Sequence, residues 1–166
     1  IEISKKTGAT ITAVFELANY CASKGANVNG INLGAWLDFE WGKVISVPAF
    51  HSSSTPEGAY AGCPCGYIFE IENKRFYHAG DTCLNNEMKI IGEIYELDFA
   101  MLPIGGVYTM DIEHAVIASE WLNVSAIIPM HYNTFDAINV NIVDFERQIR
   151  DKGKIPLVLK TGQNLE

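Results

Sequence analysis

The stretch FAMLPIGGVYTMDIEHAVIASEWLNVSAIIPM, residues 99–130, reads as strand, helix, strand. An apolar run over 99–104 ends in Gly105-Gly106, and a second apolar run covers 126–130. Between them Ile112, Ala115, Val116 and Ser119 recur on one helical face behind Asp111, whose carboxylate suits the free N–H groups of a first turn. A strand–helix–strand succession belongs to an α/β architecture, in which helices cover the faces of a sheet.

Working outward, the same grammar continues on both sides. Asn141 caps a helix predicted over 141–150, with Ile142, Phe145 and Ile149 inward and Lys152-Gly153 closing it, and a strand is expected over 155–160. A helix is predicted over 87–95. At the other end, a β-branched run over 10–14 precedes a helix carrying Leu17, Tyr20 and Cys21, which Gly25 terminates. Residues 28–31, 35–41, 43–49, 67–71 and 75–77 read as short strands in an antiparallel-looking meander, with Asn73-Lys74 closing a hairpin. Residues 1–166 therefore read as a single mixed α/β (α+β) domain without repeats or linkers.

Composition excludes several classes. With 48% hydrophobic and 19% charged residues, the chain buries enough surface to need neither disulfides nor a structural metal. Its net charge is −8 and its basic residues occur in scattered pairs such as Lys5-Lys6 and Lys74-Arg75, which argues against nucleic acid as a partner. The apolar runs are too short to cross a membrane. Cys21, Cys63, Cys65 and Cys83 are few and irregularly spaced, so four free thiols in a reducing cytoplasm are expected. Cys63-Pro64-Cys65 lacks the second thiol pair of a zinc site and reads as structural, and Gly105-Gly106 lacks the spacing of a phosphate loop.

Three side chains with metal-ligand chemistry each follow an apolar strand: His51 after 44–50, Asp81 after 76–80 and His131 after 126–130. Loops at strand ends are where α/β folds place their sites. Imidazole nitrogen and carboxylate oxygen suit zinc-class ions, and a carboxylate can bridge two of them, the arrangement of metal-assisted hydrolysis. Taken singly, each of the three also reads as a residue that only caps a strand or ends a loop. His78, three residues before Asp81, is either a donor that orients a ligand or a core histidine satisfied by backbone. Tyr108 and Tyr132 follow site loops, where they contact substrate or merely pack.

Phe50-His51-Ser52-Ser53, Tyr77-His78-Ala79-Gly80-Asp81-Thr82, Leu102-Pro103-Ile104-Gly105-Gly106 with Thr109-Met110, and Ile128-Pro129-Met130-His131-Tyr132-Asn133-Thr134-Phe135 resemble, in order and spacing, a metal-dependent hydrolase family of the metallo-β-lactamase superfold. The resemblance extends over the whole chain. It implies a four-layer αββα sandwich with a two-ion centre along one edge of the sheets: zinc, or manganese or iron. His51 would serve one ion, His131 the other, and Asp81 would bridge them as the catalytic carboxylate. The family's His-x-His-x-Asp-His signature is absent from the 166 residues, so the chain is expected to be the C-terminal portion of a longer one, with residues 1–6 continuing a helix. Cys83 and Val107 depart from the family's usual glycine and polar residue.

The expected function is hydrolysis of an ester, amide or phosphoester in a small uncharged or mildly cationic molecule, with little activity in this chain alone. The competing readings are a metal-free scaffold or interaction domain, and a di-iron redox protein on the same fold. An open sheet edge would favour homo-oligomers.

Overall fold

The computed structural model describes residues 1–164. The elements run α1 (Glu2–Thr7), β1 (Ile11–Val14), α2 (Phe15–Ser23), β2 (Val28–Ile31), β3 (Trp36–Phe39), β4 (Gly42–Pro48), β5 (Cys65–Ile71), β6 (Lys74–His78), α3 (Glu87–Ile94), β7 (Phe99–Pro103), α4 (Ile112–Trp121), β8 (Ala126–Met130), a 3-10 turn (Asp136–Ile138), α5 (Ile142–Asp151) and β9 (Ile155–Pro156). Strands β3 to β9 form one sheet in chain order, antiparallel from β3 to β6 and parallel from β6 to β9. Strands β1 and β2 form a separate parallel pair joined through α2.

Strand pairing converts the period of two into rows of side chains across the sheet. Ile45, Ile68, Tyr77, Ala100 and Ile127 stand opposite one another in register on one face. All five are at most 3% exposed and pack with Met88 and Ile91 of α3, Ala115 and Ala118 of α4, and Phe145 and Ile149 of α5. The opposite face carries Val44, Phe69, Phe76 and Phe99 in the adjoining row, with the Phe69, Phe76 and Phe99 rings stacked 4.9 and 4.8 Å apart. On this face lies β1, held by the Tyr67 hydroxyl donating to the Thr12 carbonyl at 3.3 Å. Helix α2 packs on β2, where Gly30 sits beneath Ala18 and Phe15. The layers are thus helix, small sheet, large sheet, helices: a mixed α/β arrangement of the metallo-β-lactamase type.

Expectation and structure part in three places. Strand β2 belongs to the parallel pair rather than the meander, because the helix between β1 and β2 makes a crossover and not a hairpin. The hairpin turn is Glu72-Asn73, both in the left-handed region (φ 49° and 64°), while Lys74 pairs with Ile71 as a strand residue. Strand β9 is two residues long rather than six. Its ladder on β8 ends after Leu157 donates to Ile127, since the next rung would need an N–H from Pro129.

One topological fact positions the site. Strands β4, β6, β7 and β8 all point the same way, since β4 and β6 flank an antiparallel β5 and the rest are parallel. The loops that follow them therefore leave the sheet at a single edge.

Candidate metal centre

His131 is the first residue beyond β8, and its backbone is left-handed (φ 52°). The turn fits because residue 105, in the loop after β7, has no side chain: a Cβ on Gly105 would overlap the His131 carbonyl oxygen and come within 2.9 Å of Ile138. Asn133 continues the loop, its side-chain oxygen accepting from Val140 N at 2.7 Å and its amide donating to the Val140 carbonyl at 3.2 Å. So held, His131 Nε2 stands 3.7 Å from Asp81 Oδ2. Its other ring nitrogen, Nδ1, is buried and has no hydrogen-bond partner among the described residues.

Asp81 leaves the sheet after β6. The turn before it is fixed by His78, whose Nδ1 accepts from Gly80 N at 3.1 Å. That hydrogen bond puts the proton of neutral His78 on Nε2, and burial holds the imidazole below its ordinary pKa, opposed by the Asp81 carboxylate. His78 thus acts on the backbone that aims Asp81 and does not touch the carboxylate.

His51 is exposed three residues beyond β4, and its Nδ1 lies 3.0 Å from the Ser52 carbonyl oxygen. A carbonyl only accepts, so this contact is a hydrogen bond in the tautomer with the proton on Nδ1, which leaves the Nε2 lone pair for an ion; the Ser52 hydroxyl lies 3.4 Å from the same nitrogen. His51 and Asp81 border the same cleft.

Thr82 has no expected role in the sequence reading, yet it joins these loops. It is fully buried. Its hydroxyl oxygen accepts from Phe50 N at 3.0 Å and from the Asn85 amide at 3.2 Å, and donates to the Cys83 carbonyl at 3.0 Å. The Thr82 carbonyl accepts from Met110 N at 3.1 Å, and Cys83 N donates to the Phe50 carbonyl at 3.3 Å. The segments carrying His51, Asp81 and the loop after β7 are therefore tied to one another through a single residue. The tyrosines stand apart. Tyr132 packs against the helix-side core near Glu146, where burial raises its pKa, and Tyr108 is exposed beside Phe135; neither borders the cleft of His51 and Asp81.

The donor set fits an ion in part. Two ligands of one zinc-class ion, each about 2.0–2.2 Å from it in tetrahedral geometry, lie roughly 3.3–3.6 Å apart. The 3.7 Å between Asp81 and His131 is close to that separation and too long for a hydrogen bond. Among the described residues no three His, Cys, Asp or Glu side chains approach closely enough to enclose an ion. Asp81 and His131 are brought together, and His51 stands on the shared cleft outside that pair.

The sequence profile of the beta-lactamase superfamily domain matches residues 1–132. The chain belongs to the β-lactamase superfamily. Within that superfamily it is 43% identical over 164 residues to a UPF0173 metal-dependent hydrolase of Christiangramia forsetii, covering 99% of this chain and 73% of the relative. It is 40% identical over 171 residues to a UPF0173 metal-dependent hydrolase of Bacillus cereus, covering 74% of that relative. Igni18, a metallo hydrolase from the archaeon Ignicoccus hospitalis, superposes with a TM-score of 0.89 at 36% identity, covering 98% of this chain and 70% of that one. The superfamily's metal-dependent hydrolases are thus the chain's relatives in sequence and in fold. No helix among the described residues is long and apolar enough to cross a membrane.

Proposed function

We propose that the chain carries half or more of a two-ion hydrolytic centre, with His51 and His131 each serving one ion, Asp81 bridging them, and an ester, amide or phosphoester of a small molecule as substrate. The observation that carries this reading is the Asp81 carboxylate set 3.7 Å from His131 Nε2 at the sheet edge where the loops of four co-directional strands meet. Zinc is the ion best matched to imidazole and carboxylate, and manganese and iron suit the same donors. Bound there, such ions would lower the pKa of water and polarise the scissile bond.

The chain's own residues do the positioning. His131 presents Nε2 because its loop is locked by Asn133 and by the cradle at Gly105. His51 Nδ1 is engaged by the Ser52 carbonyl, which leaves Nε2 as the nitrogen for an ion. Asp81 is aimed by a turn that His78 and Thr82 brace from either side. A ligand held by such supports needs little rearrangement to bind, and supporting residues of this kind are worth about 10–100-fold in metal affinity or activity.

Metal content per chain and hydrolysis of p-nitrophenyl esters after loading with zinc, manganese or iron test the reading. Asp81→Asn is expected to lose bound metal and to lower hydrolysis by about a hundredfold or more, beyond the loss from a supporting residue. An Asp81→Asn variant that keeps both metal and rate removes Asp81 from the centre and the reading with it.

A further inference from the structure

The cleft bordered by His51 and Asp81 continues away from them, between the start of α2 and the loop over residues 60–66. It is open to solvent and has a volume of about 350 Å³. Its far wall consists of Val14, Leu17, Ala61, Cys63 and Pro64, and among the described residues no lysine or arginine borders it. The loop reaches α2 because residue 62 is glycine with φ +87°; a Cβ there would come within 2.6 Å of both the Glu16 carboxylate and the Val14 side chain. Ala49 N donates to the Pro64 carbonyl at 3.2 Å, fixing the loop to the end of β4. Tyr67, bonded to Thr12, closes the other side. Burial raises the pKa of Cys65, which keeps that thiol neutral. The wall is formed in advance, apolar and uncharged.

We propose that this cleft receives a compact, uncharged aliphatic part of the substrate, the acyl chain of a carboxylic ester, with Leu17 and Cys63 as specificity-determining residues. The assignment rests on the hydrolase reading above and narrows its substrate class. About 350 Å³ lies at the small end of ligand pockets and suits a short acyl chain. Burying methylenes against Val14, Leu17 and Pro64 is favourable, whereas a terminal carboxylate would surrender its hydration and meet no cation. In the reaction the hydroxyl of water adds to the acyl carbon, the carbon–oxygen ester bond breaks, and the leaving alkoxide takes the remaining proton, giving an acid and an alcohol.

Two near-isosteric esters, p-nitrophenyl butyrate and p-nitrophenyl hemisuccinate, differ by a terminal carboxylate and read the wall directly in the metal-loaded chain. Butyrate is expected to show a kcat/KM about tenfold or more above hemisuccinate, and Leu17→Lys to narrow or invert that ratio. Leu17→Trp fills the cleft and is expected to lower butyrate turnover about tenfold while acetate changes by less than about threefold. A readout without turnover uses Cys63 of the far wall, which is exposed. Butyramide is expected to slow its alkylation by iodoacetamide by about half or more above the Kd, and succinamate to leave the rate unchanged. Equal turnover of the two esters by the unmodified chain, or equal protection by the two amides, overturns the assignment and leaves the hydrolase reading standing. Absence of turnover together with selective protection by butyramide upholds the cleft and denies hydrolysis only to this chain taken alone.

Discussion

A single hydroxyl gathers the segments that carry His51 and Asp81, since Thr82 Oγ1 accepts from Phe50 N and the Asn85 amide while donating to the Cys83 carbonyl. Replacing Thr82 by valine keeps the volume and removes all three interactions, leaving the part-buried Phe50 N–H without an acceptor. An expected loss of about 1–3 kcal/mol in unfolding free energy follows, measurable by urea denaturation, together with weaker metal binding, because the two ligand loops lose their common tie. A Thr82→Val variant with unchanged denaturation midpoint and unchanged metal affinity would contradict that role. The ligand candidates themselves are legible from sequence, since His51, Asp81 and His131 each follow a recognisable apolar run. Thr82 is not, because its partners lie 32 residues upstream and 28 residues downstream and only folding brings them to it. Tyr132 also shows the limit: its place after β8 puts it near a site loop, but the left-handed backbone at His131 is invisible in the sequence, and Tyr132 packs against the core.

Elements transmit their geometry to the site through their ends. Gly105 lies where the end of β7 passes the His131 carbonyl, and it tolerates no side chain. Gly105→Ala is expected to cost about 1–3 kcal/mol through overpacking against backbone and Ile138, and to weaken metal binding by displacing His131 from Asp81. Thermal denaturation and metal stoichiometry measure the two effects; an alanine variant with wild-type values for both would show that the loop shifts freely. Sequence periodicity finds most elements, because the buried row of Ile45, Ile68, Tyr77, Ala100 and Ile127 reflects the apolar spacing along each strand. It fails at chain-distant constraints. The length of β9 is set by Pro129 in its neighbour, and the pairing of β2 by a crossover whose handedness and partner no local pattern encodes.

At the scale of the whole molecule, the end of the large sheet away from the site is held by charge. Asp98 is kept below its usual pKa by the Lys74 ammonium and by the Arg75 backbone N–H, and Glu70 by the Arg75 guanidinium and by Lys43. These pairs join β4, β5, β6 and the approach to β7. A carboxylate whose native pKa is depressed contributes stability that is fully present above its unfolded-state pKa, about 4, and that is lost as pH falls through the native value. The share of stability these carboxylates supply is therefore expected to be level above about pH 5 and to fall on further acidification, while the depressed imidazole of His78 adds a separate decline that begins as pH falls below about 6.5. The double variant Glu70→Gln, Asp98→Asn is expected to flatten that fall in a series of denaturation midpoints, and a series as steep as that of the unmodified chain would place the acid sensitivity elsewhere.

The Glu72-Asn73 turn closes β5 onto β6 at the sheet end opposite the edge where β6 releases Asp81. Exposed tips of this kind accept insertions with little disturbance to the fold. A chain tethered to a solid support through a peptide tag inserted between Glu72 and Asn73 would therefore stand with its cleft facing the liquid, so that an orientation useful for a surface-bound catalyst is already present in the direction of one hairpin.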